Sequence, residues 1–225
     1  MSTTQRKPMK IREITILAFL AVIAYVVMYL SKQIPVNVIG FLNFDLKDVI
    51  ICIAGFLYGP LAVVSISVVV SIIEMVTISG TGPWGLLMNV LSTCSFICTA
   101  AWIYQRHRTI KGAVIGLITG ALLMTGVMLL WNWLITPLYL DAGRDFIVTL
   151  LVPVFLPFNL IKAGINGTLT VLLYKPVVNA LRKAKLVDLS SGSSGSGKSK
   201  LGIVLIASVL LITFILLALV LAGVI

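Results

Sequence analysis

Apolar residues fall into six long runs, at 14–30, 49–79, 84–104, 112–135, 148–174 and 201–225, with most charged residues collected between them. Most runs match the roughly 20 residues a helix needs to cross a hydrocarbon core of about 30 Å. Run 49–79 does not. As one helix it would be about 45 Å long, and Gly59-Pro60 interrupts it. Charge resolves the difficulty. Arg6, Lys7, Lys10 and Arg12 precede the first run, and Arg106, Arg108 and Lys111 follow the third. Loops rich in Lys and Arg stay on the cytoplasmic side, so an even number of crossings must separate the two clusters. Run 49–79 is therefore expected to be a helical hairpin. Continuing the count brings Lys175, Arg182, Lys183 and Lys185 to the same side. The outer side keeps only Lys32, Lys47 and Arg144.

The first leg of that hairpin, 49–58, is too short to cross comfortably. Segment 34–47 is expected to complete it as a dipping, partly re-entrant stretch. Irregular backbone at membrane depth is tolerated only where protein or a polar cavity covers it. A cavity is thus expected at the outer face.

Composition agrees with this picture. The 225 residues are 60% hydrophobic and 11% charged, with a mean hydropathy of +1.14. These values describe a polytopic membrane protein whose length allows six or seven spans, and the count of runs and charges makes it an all-α helix bundle of six spans with a seventh at the C-terminal end. The net charge of +10 follows from basic cytoplasmic loops and calls for no nucleic acid. The first run follows a basic stretch as in a signal peptide, but it is long and lacks a small-x-small cleavage site, so it reads as a retained helix. The layout is a membrane domain over 1–187, a Ser/Gly-rich linker over 188–200 and an added helix over 201–225.

Several motifs carry no chemistry. Segment 192–199 matches the phosphate-loop pattern GxxxxGK[ST], but it follows a polar tail and precedes a lipid-bound helix, leaving no nucleotide-binding domain to support it. Asn166-Gly167-Thr168 reads as a glycosylation sequon, yet lies inside a membrane helix. Cys52, Cys94 and Cys98 sit in apolar runs with no His or carboxylate near Cys94 and Cys98, so they read as packing residues and no metal site is expected. His107 belongs to a basic loop. No nucleophile–base pair supports an enzyme.

Asn159 and Lys162 are different. They lie three residues apart within run 148–174, and a Lys at mid-helix costs roughly 2.5–3.5 kcal/mol on insertion scales. That spacing places both on one helix face. Pro157 suits the first position of a helix, which would put both groups in its first turns, near one surface. Glu74 and Asn132 are the other buried-looking polar residues. Glu74 is a possible charge partner for Lys162, and that pairing would be the purely structural reading. Phe41, Asn43, Phe44, Gly80, Thr81 and Trp84 add aromatic faces and flexible backbone on the same side, as Trp131 and Trp133 do. Together these residues describe a pocket for a flat, apolar, hydrogen-bonding molecule. Gly112, Gly116 and Gly120 form a ridge suited to packing inside the bundle. Ala18, Ala21 and Ala24 form a small-residue stripe, open either to internal packing or to docking of a partner subunit.

Four stretches carry a family resemblance: 41–48 (FLNFDLKD), 55–62 (GFLYGPLA), 80–83 (GTGP) and 156–162 (LPFNLIK). In order and spacing the chain resembles the riboflavin-specific substrate-binding component of energy-coupling-factor vitamin transporters, from the first helix to about residue 186. The Pro-Phe-Asn-Leu-Ile-Lys run, with Asn132, is closest to the riboflavin type. The resemblance implies a six-helix bundle in a bacterial cell membrane, N-terminus cytoplasmic, binding riboflavin from outside. It implies that riboflavin is a transported ligand and not a cofactor. It also implies a transmembrane coupling subunit and two ATPase subunits as partners, and small residues on the first helix facing the coupling subunit. The alternatives are another vitamin on the same fold, an intramembrane enzyme or a channel. Segment 201–225 lies outside the resemblance and offers no ligand-binding side chain, so the pocket is expected to be complete without it.

Overall fold

Run 49–79 breaks at Gly59, whose φ of +94° lies in a region that residues with side chains avoid. Pro60 then opens the next helix where no N–H is needed. The products are α2 (Lys47–Tyr58) and α3 (Pro60–Thr77), the two legs that the charge count requires. With 12 residues, α2 is about 18 Å long, little more than half a membrane core. It buries nearly every side chain from Lys47 to Phe56, so it stands inside the bundle.

The computed structural model describes residues 11–34, 37–38, 42–140, 143–183 and 197–224. Phe41 and most of the Ser/Gly linker lie outside these residues. Helix α1 (Ile11–Lys32) leads to two short antiparallel strands, β1 (Asn37–Val38) and β2 (Leu42–Asn43). Asn37 stands opposite Asn43, and Val38 opposite Leu42. After α3 come α4 (Gly82–Arg106) and α5 (Ile110–Leu134), then the short helices α6 (Thr136–Leu140) and α7 (Arg144–Leu150). Helices α8 (Leu156–Lys183) and α9 (Gly197–Leu221) complete the chain. Among the described residues, six helices are long and apolar enough to cross a membrane, the last of them within α9.

Helix α8 does not start at Pro157 as the sequence suggests. It continues from α7 through a π-helical turn, Leu151–Phe155, in which the Leu156 N–H reaches back to the Leu151 carbonyl. The turn contains Pro153, which has no N–H to give. A similar wide turn, Cys94–Cys98, lies within α4.

Helix α1 packs on α2 and α3, α4 on α3 and α5, and α8 on α2, α5 and α9. The glycine ridge is internal, as expected. A methyl at Gly120 would lie 2.2 Å from the Phe96 carbonyl oxygen, and one at Gly116 would lie 2.8 Å from that of Ala100. Only glycine lets α5 approach α4 this closely. The alanine stripe divides. Ala21 and Ala24 are 7% and 0% exposed within the main core, while Ala18 is exposed. Two of the three therefore pack internally and present no docking surface.

Helix α9 runs along α8. Phe214 fills the space beside Gly164, where an added methyl would lie 2.5 Å from its Cζ. Ile161, Ile165 and Ala218 bury one another at the same seam.

Candidate ligand-binding site

The periodicity of α8 separates two faces. Asn159, Lys162, Asn166 and Thr170 point inward and are buried. Ile161, Ile165 and Leu169 face α9. Lys162 is 7% exposed, and its ammonium donates to Asp45 Oδ2 at 2.8 Å. Asp45 lies just after β2, so this pair ties the strand segment to α8. Asn166 Nδ2 donates to the Asp45 backbone carbonyl at 3.0 Å and strengthens the same tie.

Lys47, at the start of α2, is fully buried. Its ammonium lies 3.1 Å from Asp45 Oδ2 and 3.7 Å from Glu74 Oε2. Glu74 also receives Lys32 and the Asn89 amide at 3.0 Å. Asp48 accepts from the Thr93 hydroxyl at 2.8 Å. Lys32, Lys47 and Lys162 thus offset Asp45, Asp48 and Glu74, and the assembly is formally neutral. Neutrality and hydrogen bonding make such burial tolerable in low dielectric.

This network corrects one expectation. Glu74 is not the partner of Lys162; it pairs with Lys32 and Lys47, and Asp45 serves Lys162. Lys32 and Lys47, counted on the outer side from the sequence, are both paired with these carboxylates.

Next to the network lies a cavity of about 20 Å³. Leu42 walls it from β2, Met88, Asn89 and Ser92 from α4, Met128 and Asn132 from α5, and Phe158, Asn159 and Lys162 from α8. Asn132 and Asn159 each donate to the carbonyl four residues back, of Met128 and Phe155, both at 2.7 Å. The Thr136 hydroxyl donates to Asn132 Oδ1 at 2.9 Å. Phe44 meets Phe158 with ring centroids 4.8 Å apart. Asp45 Oδ1, Asn166 Oδ1 and Trp131 Nε1 are buried without a hydrogen-bond partner. Buried polar atoms are usually satisfied, so the region has unused hydrogen-bonding capacity.

The structure therefore brings Asn132, Asn159 and Lys162 together, with Phe44 behind Phe158. Asn43 is half-buried in β2. Gly80 and Thr81 sit in the turn before α4, where the Thr81 hydroxyl meets Ser79, and they do not wall the cavity. Trp84 and Trp133 are each 39% exposed, and Trp133 carries Arg144 over its ring. Sequence reading missed Asp45, Lys47, Asn89, Phe158 and Asn166. The signal for Asp45 and Lys47 was present, as charges within a segment expected to dip into the membrane, but nothing in the sequence said which partners they would meet. Among the described residues no three His, Cys, Asp or Glu side chains converge as a metal site.

Residues 12–174 match the family model for the substrate-specific component of ECF transporters. The chain is 30% identical over 179 residues to the riboflavin transporter RibU of Staphylococcus aureus, covering 76% of this chain and 93% of that protein. It is 27% identical over 191 residues to the riboflavin transporter FmnP of Bacillus subtilis, covering 79% and 100%. Among solved structures it resembles the one described as "Structure and mechanism of the S component of a bacterial ECF transporter". That match has a TM-score of 0.65 and 29% identity, and covers 76% of this chain and 98% of that chain.

Proposed function

Because the chain belongs to the substrate-specific components of energy-coupling-factor transporters, we propose that it binds riboflavin at the Asn132–Asn159–Lys162 cavity and delivers it for uptake. One observation supports this site above others: two helices place two amides and an ammonium around a single cavity, with an aromatic ring in its wall. Such a set suits a flat ring with carbonyls on its edge and hydroxyls on its chain. The choice of riboflavin rests on the relatives, whose names are those of riboflavin transporters.

A cavity of about 20 Å³ has room for about one water, whereas pockets for small organic ligands run from about 300 to 1,000 Å³. Entry of a flavin therefore displaces a wall. The segment bearing β1 and β2 is suited to this, being held by a short ladder and by the Asp45 contacts.

Basic residues before α1 and at 106–111 support a cytoplasmic N-terminus, which puts the cavity toward the outer surface. The family match supports transport in association with other components of an ECF transporter, here taken to be a transmembrane coupling subunit and two ATPase subunits.

The test is the absorption spectrum and flavin titration of the purified protein. A bound yellow chromophore, mutual quenching of flavin and tryptophan fluorescence, and one site per chain are expected. Thiamine, biotin and folate should not compete, since they leave the buried polar groups unpaired. Displacement of flavin by thiamine or biotin at similar concentration would reject riboflavin while leaving the fold intact.

A further inference from the structure

Helix α9 lies beyond the family match, which ends at residue 174, yet it is seated against the elements that build the cavity. Phe214 fits the notch at Gly164, two residues from Lys162. Ala218 packs on Ile161 and Ile165, and Phe44 joins this cluster. One turn further on, Leu221 and Ala222 pack on the cluster of Val38, Leu42 and Phe158. Leu42 and Phe158 are themselves cavity walls.

We propose that α9 supports the walls of the ligand site from outside, bracing α8 and the β1–β2 segment together and thereby slowing ligand release. The reasoning is mechanical. A flavin enters or leaves only if the β1–β2 segment moves relative to α8, and Leu221 and Ala222 pack on the apolar cluster in which Val38 and Leu42 of that segment meet Phe158 of α8. Any such motion must break the α9 contacts or carry α9 with it. Phe214 and Leu221 are thus positioning residues, which touch the walls and not the ligand. Gly164 is what admits Phe214, since a larger residue there would push α9 off α8.

The inference rests on the proposed riboflavin site, and the experiment separates the two. Riboflavin release is followed by recovery of flavin fluorescence after dilution, in the full chain, in Gly164→Leu, in a chain ending at residue 187, and in that shortened chain carrying Gly164→Leu. Failure of the full chain to bind riboflavin would reject the site assignment, and α9's proposed role with it. With binding intact, release should accelerate about tenfold in Gly164→Leu and in the shortened chain, with a smaller change in association, because interface changes act mostly on dissociation. In the shortened chain Gly164→Leu should have no further effect, since no α9 remains to displace. Adding Phe214→Ala to full-length Gly164→Leu should restore slow release by making room. Equal release rates in the full and shortened chains would overturn the proposal, as would a Gly164→Leu effect that persists without α9. Should the shortened chain aggregate, the Gly164→Leu and Phe214→Ala pair decides alone: no acceleration, or no rescue, overturns it.

Discussion

Lys162 donates to Asp45 across 117 residues of sequence, at 2.8 Å and in a buried setting. One contact joins the helix that lines the cavity to the strand segment that covers it. Asp45 also holds Lys47 at 3.1 Å on the same oxygen. The Lys162 ammonium keeps further N–H groups with which a ligand carbonyl or hydroxyl could be held while Asp45 stays bound, and Lys47 gives the carboxylate a second partner.

Lys162→Met should impair both folding and flavin binding. Removing one member of a buried pair costs roughly 3–5 kcal/mol, lessened here because Lys47 remains. The double variant Asp45→Asn/Lys162→Met should recover most of the thermal stability without recovering binding. Thermal unfolding and flavin titration of the three proteins check this; recovery of binding with stability would make Lys162 only a charge partner.

Glu74→Gln should destabilise the protein more than Glu74→Gln combined with Lys32→Met. The single change leaves Lys32 and Lys47 facing a neutral amide, whereas the double change restores charge balance. Contacting residues couple by about 0.5–3 kcal/mol, so a denaturation series on both variants and on Lys32→Met alone should show clear non-additivity. Additive losses would mean that Lys32 is stabilised by solvent instead.

Gly120→Leu should lower stability by about 1–3 kcal/mol through overpacking, because its Cβ would sit 2.2 Å from the Phe96 carbonyl oxygen. Gly126→Leu, on the same helix with nothing within 4 Å, should change stability by less than about 0.5 kcal/mol apart from helix propensity. Melting temperatures of the two variants in one detergent make the comparison.

Ala24→Leu should damage the isolated protein, since Ala24 is fully buried. Ala18→Leu, on the exposed face, should leave flavin binding unchanged and reduce ATP-driven uptake if that face meets the coupling subunit. Uptake in cells beside binding in detergent separates the two effects. Loss of binding in Ala18→Leu would place that residue in the bundle's own packing.

Much of the architecture was legible in the linear pattern. Apolar run lengths, the Gly59-Pro60 break and the distribution of Lys and Arg determined the long helices and the split of run 49–79, because lipid leaves the backbone few alternatives to helix. The expense of an intramembrane ammonium singled out Lys162, and the three-residue spacing placed Asn159 beside it. Pairing was not legible. Glu74 and Asp45 are both carboxylates near the same end of the bundle, and only the packing of α2 between α1, α3 and α8 decides that Lys32 and Lys47 take Glu74 while Lys162 takes Asp45. The alanine stripe behaves alike: a spacing of three fixes a helix face roughly, but whether that face meets lipid or α2 depends on helix rotation. Helix α9 was readable as a membrane span from its apolar length. Its seat against Gly164 was not, because in lipid no strong hydrophobic force selects one apolar helix face over another, and the choice falls to the shape of a notch that exists only once α8 is folded.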